Sequence, residues 1–277
     1  MNYQGSRLRD KIFLFYIRNT FHHPFKIRII NWLNDVFFNN LIRIKRSNGG
    51  GQYDLSTREY IGHEIIFSGS YEPLTLNICE NLLKQGGVFI DIGANVGLFS
   101  IQLSKLTNVI VYSVEPSFLN FQKLLSNISL NKVSNIHPIN IGLSDRDSFG
   151  YLINNSPANS GTFRVVDTVN DNSSYLIRLC TLSELVKYFG LSEIDLIKID
   201  VEGFEMNVFK GYFNHNLPSP KNIIMEFSGL LEQTGYTVKE CYDYFTDLGY
   251  EHFTIAGDKY NLGDILPESN LWLRRKY

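Results

Sequence analysis

The sequence predicts an α/β protein built on a mostly parallel sheet with helices on both faces. Three observations carry that expectation. Short apolar runs recur between helix-length stretches, at residues 88–92, 109–114, 135–141, 194–200 and 222–225. The first of these leaves through a glycine-bearing turn, Gly93-Ala94-Asn95-Val96-Gly97, into a helix expected to start at Asn95 or Val96. Two closing strands, 250–255 and 269–274, have no long helix between them, which predicts an antiparallel end to a sheet of seven strands with the last one reversed.

The glycine turn says something about its ligand. A dinucleotide fingerprint would need glycine at the third and sixth places after Ile92, where this chain has Asn95 and Leu98. The spacing Asp91-x-Gly93-x-Asn95-x-Gly97 therefore fits a ligand without a pyrophosphate, and Asp91 at the strand end favours a cationic group beside it. S-adenosylmethionine, with its sulfonium and amino-acid tail, meets both needs. The next strand ends in Glu115-Pro116, 24 residues after Asp91, where a nucleotide-binding sheet places the acid that takes the two ribose hydroxyls. The exit of the third strand, including Leu143 and Ser144, is expected beside the adenine.

The remaining elements follow in order. A helix is expected around Pro73, a good first-turn residue, with Leu74, Leu76, Ile78, Leu82 and Leu83 on its buried face. Gly86-Gly87 ends it. Helices are expected at 96–106 and 118–130 between the first three strands. Residues 146–180 break the alternation, with two short strands, 151–154 and 162–166, around a polar loop that reads as a lid or as a solvated hairpin. A helix at 182–189 then precedes the fourth strand, which ends at Asp200, and the fifth strand ends at Glu226. Strand ends on this side of an open α/β sheet line the ligand crevice, so both acids are candidates for chemistry. Lys198 shares a strand face with Asp200 and can pair with it.

Composition narrows the partners. The 277 residues are 44% hydrophobic and 19% charged with a net charge of −2, which argues against nucleic acid as the main partner. Residues 1–50 nevertheless hold nine Lys or Arg against only Asp10 and Asp35, interleaved with aromatic and aliphatic residues. They read as a helical extension divided at Pro24 and separated by the flexible stretch 47–51 from a domain at 51–277. Two readings stand for it: packing on the domain or on a second subunit as a homodimer, or residues 1–46 resting on an anionic membrane surface. Cys79, Cys180 and Cys241 lie far apart and match no metal spacing, which fits buried thiols in a reducing compartment. No apolar run reaches the ~20 residues that span a bilayer. The expected location is cytoplasmic, or peripheral at the inner face of the membrane.

Four pieces of the chain, taken together, resemble the FkbM family of S-adenosylmethionine-dependent methyltransferases. They are Tyr71-Glu72-Pro73, the stretch from Phe89 to Gly97, Glu115-Pro116 with Asn120 following, and Lys198-Ile199-Asp200-Val201-Glu202-Gly203-Phe204-Glu205. The resemblance spans roughly residues 53–275. It implies a Rossmann-like methyltransferase sheet and O-methylation of a hydroxyl on a sugar, glycan or other natural product. On that reading the cofactor is held by Asp91, Gly93, Ala94, Asn95, Gly97, Glu115, Pro116, Leu143 and Ser144.

The chemistry would fall to Asp200 as base or as the residue orienting the hydroxyl, with Glu226 second and Lys198 paired to Asp200. Asp200 and Glu226 could instead hold a divalent cation on the substrate oxygen, for which hard oxygen ligands suit Mg²⁺. Competing functions are a non-enzymatic cofactor-binding scaffold and a protein or RNA methyltransferase on the same fold, the RNA version weakened by the near-neutral charge.

Overall fold

A computed structural model describes residues 3–5, 7–19, 32, 42–46, 50–56, 59–154, 163–166, 174–213 and 216–276. In chain order the elements are β1 (Tyr3–Gly5), α1 (Leu8–Asn19), β2 (Ile42–Arg46), β3 (Gln52–Leu55), α2 (Tyr60–Ser68), α3 (Pro73–Leu82), β4 (Gly87–Ile92) and α4 (Leu98–Leu103). Next come β5 (Val109–Val114), α5 (Phe118–Asn131), β6 (Ile136–Ile139), β7 (Gly142–Ser144), β8 (Ser148–Asn154), β9 (Phe163–Val166), β10 (Tyr175–Thr181) and α6 (Leu182–Tyr188). The chain continues through β11 (Leu196–Ile199), α7 (Glu205–Phe213), β12 (Asn222–Glu226), α8 (Val238–Asp247), β13 (Tyr250–Thr254) and β14 (Asn270–Arg275).

The expected central sheet is present, with seven strands in the order β13-β14-β12-β11-β4-β5-β6. Only β14 runs against its neighbours. The order turns back on either side of β4, so the carboxyl ends of β4 and β11 flank the switch point where such sheets bind ligands. Successive side chains of β4 enter opposite cores: Phe89 packs in one cluster with Val111, Leu196 and Ile224, and Ile90 in the other with Val114, Ile197 and Met225. Both faces are covered, as a parallel sheet requires.

The N-terminal region differs from a purely helical extension. Ile42-Arg43-Ile44-Lys45-Arg46 alternates with a period of two, and it forms β2, in which Ile42, Ile44 and Arg46 are buried. β1, β2 and β3 make an antiparallel sheet, and β2 pairs with β3 across the stretch expected to be a domain boundary. Basic residues on the outer edge of a strand had looked like the polar face of a helix. The sheet is not a separate unit: Ile42, Ile44 and Tyr53 share a core cluster with Phe89, and the Tyr53 hydroxyl donates to the Leu98 carbonyl at 3.1 Å. α1 is a single helix; Pro24 and the second helix expected beyond it lie outside the described residues.

Other differences are local. Helix α2 had no separate expectation, and Leu74, expected in the core, is 44% exposed because it sits in the first turn of α3 on the outer side. The helix after the glycine turn starts at Leu98, since Asn95 (φ 50°) and Gly97 (φ 85°) are left-handed. β7, β10, β8 and β9 form a second sheet, of which β10 had gone unread. The polar loop expected at 154–161 lies, apart from Asn154 at the end of β8, outside the described residues. Cys79 and Cys241 are buried and all three thiols are free. Among the described residues no helix is long and apolar enough to cross a membrane.

Arg46 tests the union of the N-terminal sheet with the rest. Its side chain is 5% exposed and its Nη1 lies 2.5 Å from Glu80 Oε1, an atom that also accepts from Gln102 Nε2 at 3.1 Å. Breaking a buried pair leaves an uncompensated charge, so Arg46→Ala should cost about 3 kcal/mol. Urea unfolding should show one transition shifted to lower denaturant, with no separate melting of the first fifty residues.

Candidate active site

The glycine turn is over-determined by backbone contacts. The Gly93 and Ala94 amides both donate to the Val114 carbonyl, at 2.9 and 3.0 Å, which pins the turn to the end of β5. Gly93 has φ 80°, and a Cβ there would lie 2.0 Å from the Asp200 carbonyl oxygen. Only glycine lets the ends of β4 and β11 approach this closely. Gly97 has the same conformational need, and a Cβ on it would meet Leu124 Cδ1 at 2.5 Å.

Around this turn lies a cavity of about 670 Å³, within the range of small-molecule and cofactor sites. Asp91, Gly93, Ala94, Asn95, Glu115, Pro116 and Leu143 line it, as do Lys198, Asp200 and Glu226. Two of the expected residues do not: Gly97 packs beneath the turn, and Ser144 is buried at the end of β7 with its hydroxyl donating to Asp145 Oδ1. The second sheet draws Ser144 away from the crevice, because β7 pairs with β10 rather than continuing β6.

Glu115 is buried, with Oε2 accepting the Asn95 amide and Oε1 the Ser117 amide, each at 2.8 Å. Each carboxylate oxygen keeps a further lone pair for a hydroxyl donor. Burial raises its pKa to about 7, opposed by those two amides. Asp91 is held by Ser100, whose amide and hydroxyl donate to Oδ2 at 3.1 and 2.5 Å, and Ser113 in turn donates to the Ser100 hydroxyl at 2.6 Å. Burial raises Asp91 while Lys198 and Ser100 hold it down.

Lys198 stands opposite Asp91 in the β4–β11 register. Its ammonium lies 3.3 Å from Asp200 Oδ2 and 4.6 Å from the centroid of the Phe99 ring. Burial pulls its pKa down, but Asp200, Glu72 and Asp91 more than offset that, so the net shift is upward. Glu226 is raised to about 7 by burial and by Asp200 and Glu202, and Glu202 to about 7 by burial and Asp200.

Four acids were not read as cavity residues, namely Glu64 on α2, Glu72, Glu202 and Glu268. Glu202 (φ 55°) is a left-handed turn residue facing the cavity; Glu205 opens α7 in its first turn and braces the turn before it, its Oε1 accepting the Val201 and Gly203 amides. Glu72 precedes α3 with φ 38° and is raised to about 7 by burial, with Lys198 opposing. Glu268 reaches back from far along the chain: its Oε1 accepts the Leu74 amide at 3.0 Å, and its Oε2 the Thr75 amide and hydroxyl at 2.9 Å. The Tyr71-Glu72-Pro73 motif pointed to Glu72; nothing local in sequence pointed to Glu268. The described lining carries the carboxyls of Glu64, Glu72, Asp91, Glu115, Asp200, Glu202, Glu226 and Glu268 against the one cation of Lys198, which suits a ligand bearing a sulfonium and an ammonium. Among the described residues no group of three or more His, Cys, Asp or Glu is arranged to hold a metal ion.

A glycine turn and a ribose-type acid at adjacent strand ends, on this sheet with one reversed strand, define the class of S-adenosylmethionine-dependent methyltransferases. Within that class the Methyltransferase FkbM domain profile matches residues 91–252, more than half the chain, and the protein belongs to that family. It is similar to methyltransferase sdnD of Sordaria araneosa, 26% identical over 212 residues, covering 61% of this chain and 81% of that one. It is also similar to the hexuronic acid methyltransferase AglP of Haloferax volcanii, 31% identical over 144 residues, covering 52% and 56%. Among solved structures, precorrin-6y C5,15-methyltransferase of Geobacter metallireducens GS-15 aligns with a TM-score of 0.41 at 13% identity, over 72% of this chain and 83% of that one.

Two outcomes follow. Gly93→Ala should destabilise the protein by more than about 2 kcal/mol in chemical unfolding, because strain and collision add. The carboxyls of Glu72, Glu115, Glu202 and Glu226 all have folded pKa values raised to about 7. Their stabilising contribution is full below the unfolded value and is lost as pH rises through the folded one. Unfolding free energy of the ligand-free protein should therefore fall between about pH 5 and 8, and Glu226→Gln should flatten part of that slope.

Proposed function

We propose that the protein is an O-methyltransferase that methylates a hydroxyl of a sugar, glycan or other natural product. The observation that carries this is the convergence of Asp200, Glu202 and Glu226 at the ends of β11 and β12, in the same cavity as the glycine turn and Glu115. The residues present fit S-adenosylmethionine. Glu115 would take the ribose hydroxyls, Asn95 and Pro116 would line the nucleoside, and Asp91 and the rest of the acid-rich wall would offset the cofactor's positive charge. When bound, the cofactor supplies a methyl group made electrophilic by the sulfonium.

The chain must then align an acceptor oxygen and remove its proton. An alcohol is a weak nucleophile, so proton removal accompanies attack. Asp200 would take this part, a reading supported by Lys198, whose ammonium lies 3.3 Å from its Oδ2. Glu226, at about 7, is divided between acid and carboxylate near neutral pH and can pass the proton on to solvent. Much of the acceleration would come from holding the two reactants in line. Similarity to a hexuronic acid methyltransferase supports a sugar acceptor. The acid-rich wall favours a neutral or cationic polyol over an acidic sugar.

Transfer of labelled methyl from S-adenosylmethionine into fractions of a cell extract tests the reading. Label should enter glycan, glycolipid or small-molecule fractions as an alkali-stable ether; label confined to protein or RNA would overturn it. Asp200→Asn should lower turnover by about 10²–10⁴ while S-adenosylhomocysteine still binds by calorimetry. Full activity in that variant would remove Asp200 from the chemistry.

A further inference from the structure

Helix α1 presents a face that methyl transfer does not use. Leu8, Ile12 and Phe15 fall on one side at helical spacing and are 75%, 62% and 68% exposed, while Asp10, Phe13, Leu14 and Ile17 are buried on the other. Arg9 and Lys11, both exposed, border the apolar stripe on its two sides. Asp10, the acid of this helix, is turned inward, where Arg7 donates to it through its amide and guanidinium and Arg9 Nε lies 3.6 Å from its Oδ1, while the Arg9 side chain stays 47% exposed. The outer face is therefore apolar in the middle and cationic at its edges. The charge of the chain is divided in the same sense, with nine Lys or Arg against two Asp in residues 1–50 and an acidic remainder.

We infer that α1 docks on the surface of an anionic lipid bilayer, with Leu8, Ile12 and Phe15 entering the headgroup–acyl boundary and Arg9 and Lys11 meeting lipid phosphates. Charge complementarity selects this occupant. A nucleic acid would meet the cations but leave three large apolar side chains against phosphate and water. A second copy laid face to face would bring two basic segments together. At the other end of the helix, Arg18 donates from Nε to the Ile66 carbonyl at 3.0 Å and from Nη2 to the Ile65 carbonyl at 2.7 Å, tying α1 to α2. Ile61, Glu64 and Ser68 of α2 line the cavity. α1 is thus joined through α2 to the cavity wall, and on the methyl-transfer reading docking draws the acceptor from molecules held at the lipid surface.

Co-sedimentation of the full chain with vesicles is the test. The protein should sediment with vesicles of phosphatidylglycerol and phosphatidylcholine, less so at high salt, and not with phosphatidylcholine alone. Replacing Leu8, Ile12 and Phe15 together by Gln should lower partitioning at least about tenfold with S-adenosylhomocysteine affinity unchanged. Failure of the unaltered chain to bind anionic vesicles, or equal binding by the triple variant, overturns the inference. So does retention by DNA in place of vesicles, or a dimer in gel filtration that the triple variant abolishes. Vesicle binding is read without turnover, so its failure and the failure of the catalytic reading are separate results.

Discussion

Lys198 is a cation almost out of reach of water, and Asp91, Asp200 and Glu72 stand around it. Each of those carboxyls comes from a different place: the end of β4, the end of β11 and the approach to α3. With no cation between them they would repel one another. One ammonium between them makes the arrangement tolerable, and it binds three segments to a common centre. Losing it would leave an uncompensated charge on each, the costly way to break a buried ion pair. Asp91, Asp200 and Glu72 all take their countercharge from that single side chain.

The two faces of the sheet divide the work around this centre. Ile90, Ile92, Ile197 and Ile199 fill one core with aliphatic side chains. The other face carries Asp91 and Lys198 with Ser100 and Ser113 set among apolar neighbours, and it is roofed by the N-terminal sheet through Tyr53. Polar groups inside a core must be bonded to one another, and here they are. The N-terminal segment therefore shelters the charged side of the site while its own helix faces outward.

Legibility followed the range of the interactions. The glycine turn, Glu115 and the strand-end acids Asp200 and Glu226 are set by local backbone chemistry, and spacing alone located them at the cavity. Ile42-Arg43-Ile44-Lys45-Arg46 was harder, since alternating bases and aliphatics serve equally as a strand edge or a helix face until a partner strand appears. β10 has no helix or glycine to announce it and pairs with β8 only across a stretch outside regular alternation. Ser144 was misplaced because β7 left the main sheet for that second one. Glu72 and Glu268 could not be read at all as neighbours, since they meet only when the hairpin of β13 and β14 closes on α3.

β14 follows β13 along the chain yet lies between β13 and β12 in the sheet. The segment entering it, Glu268 and Ser269, runs through two consecutive left-handed residues to hold the start of α3, while Asn270 donates to Glu72. During synthesis on the ribosome, β13 is made with no neighbour to join and the cavity wall has no clasp. Closure waits for a strand that must slot between two already made. The wall of the cavity at α3 is therefore complete only once β14 has paired with both β12 and β13.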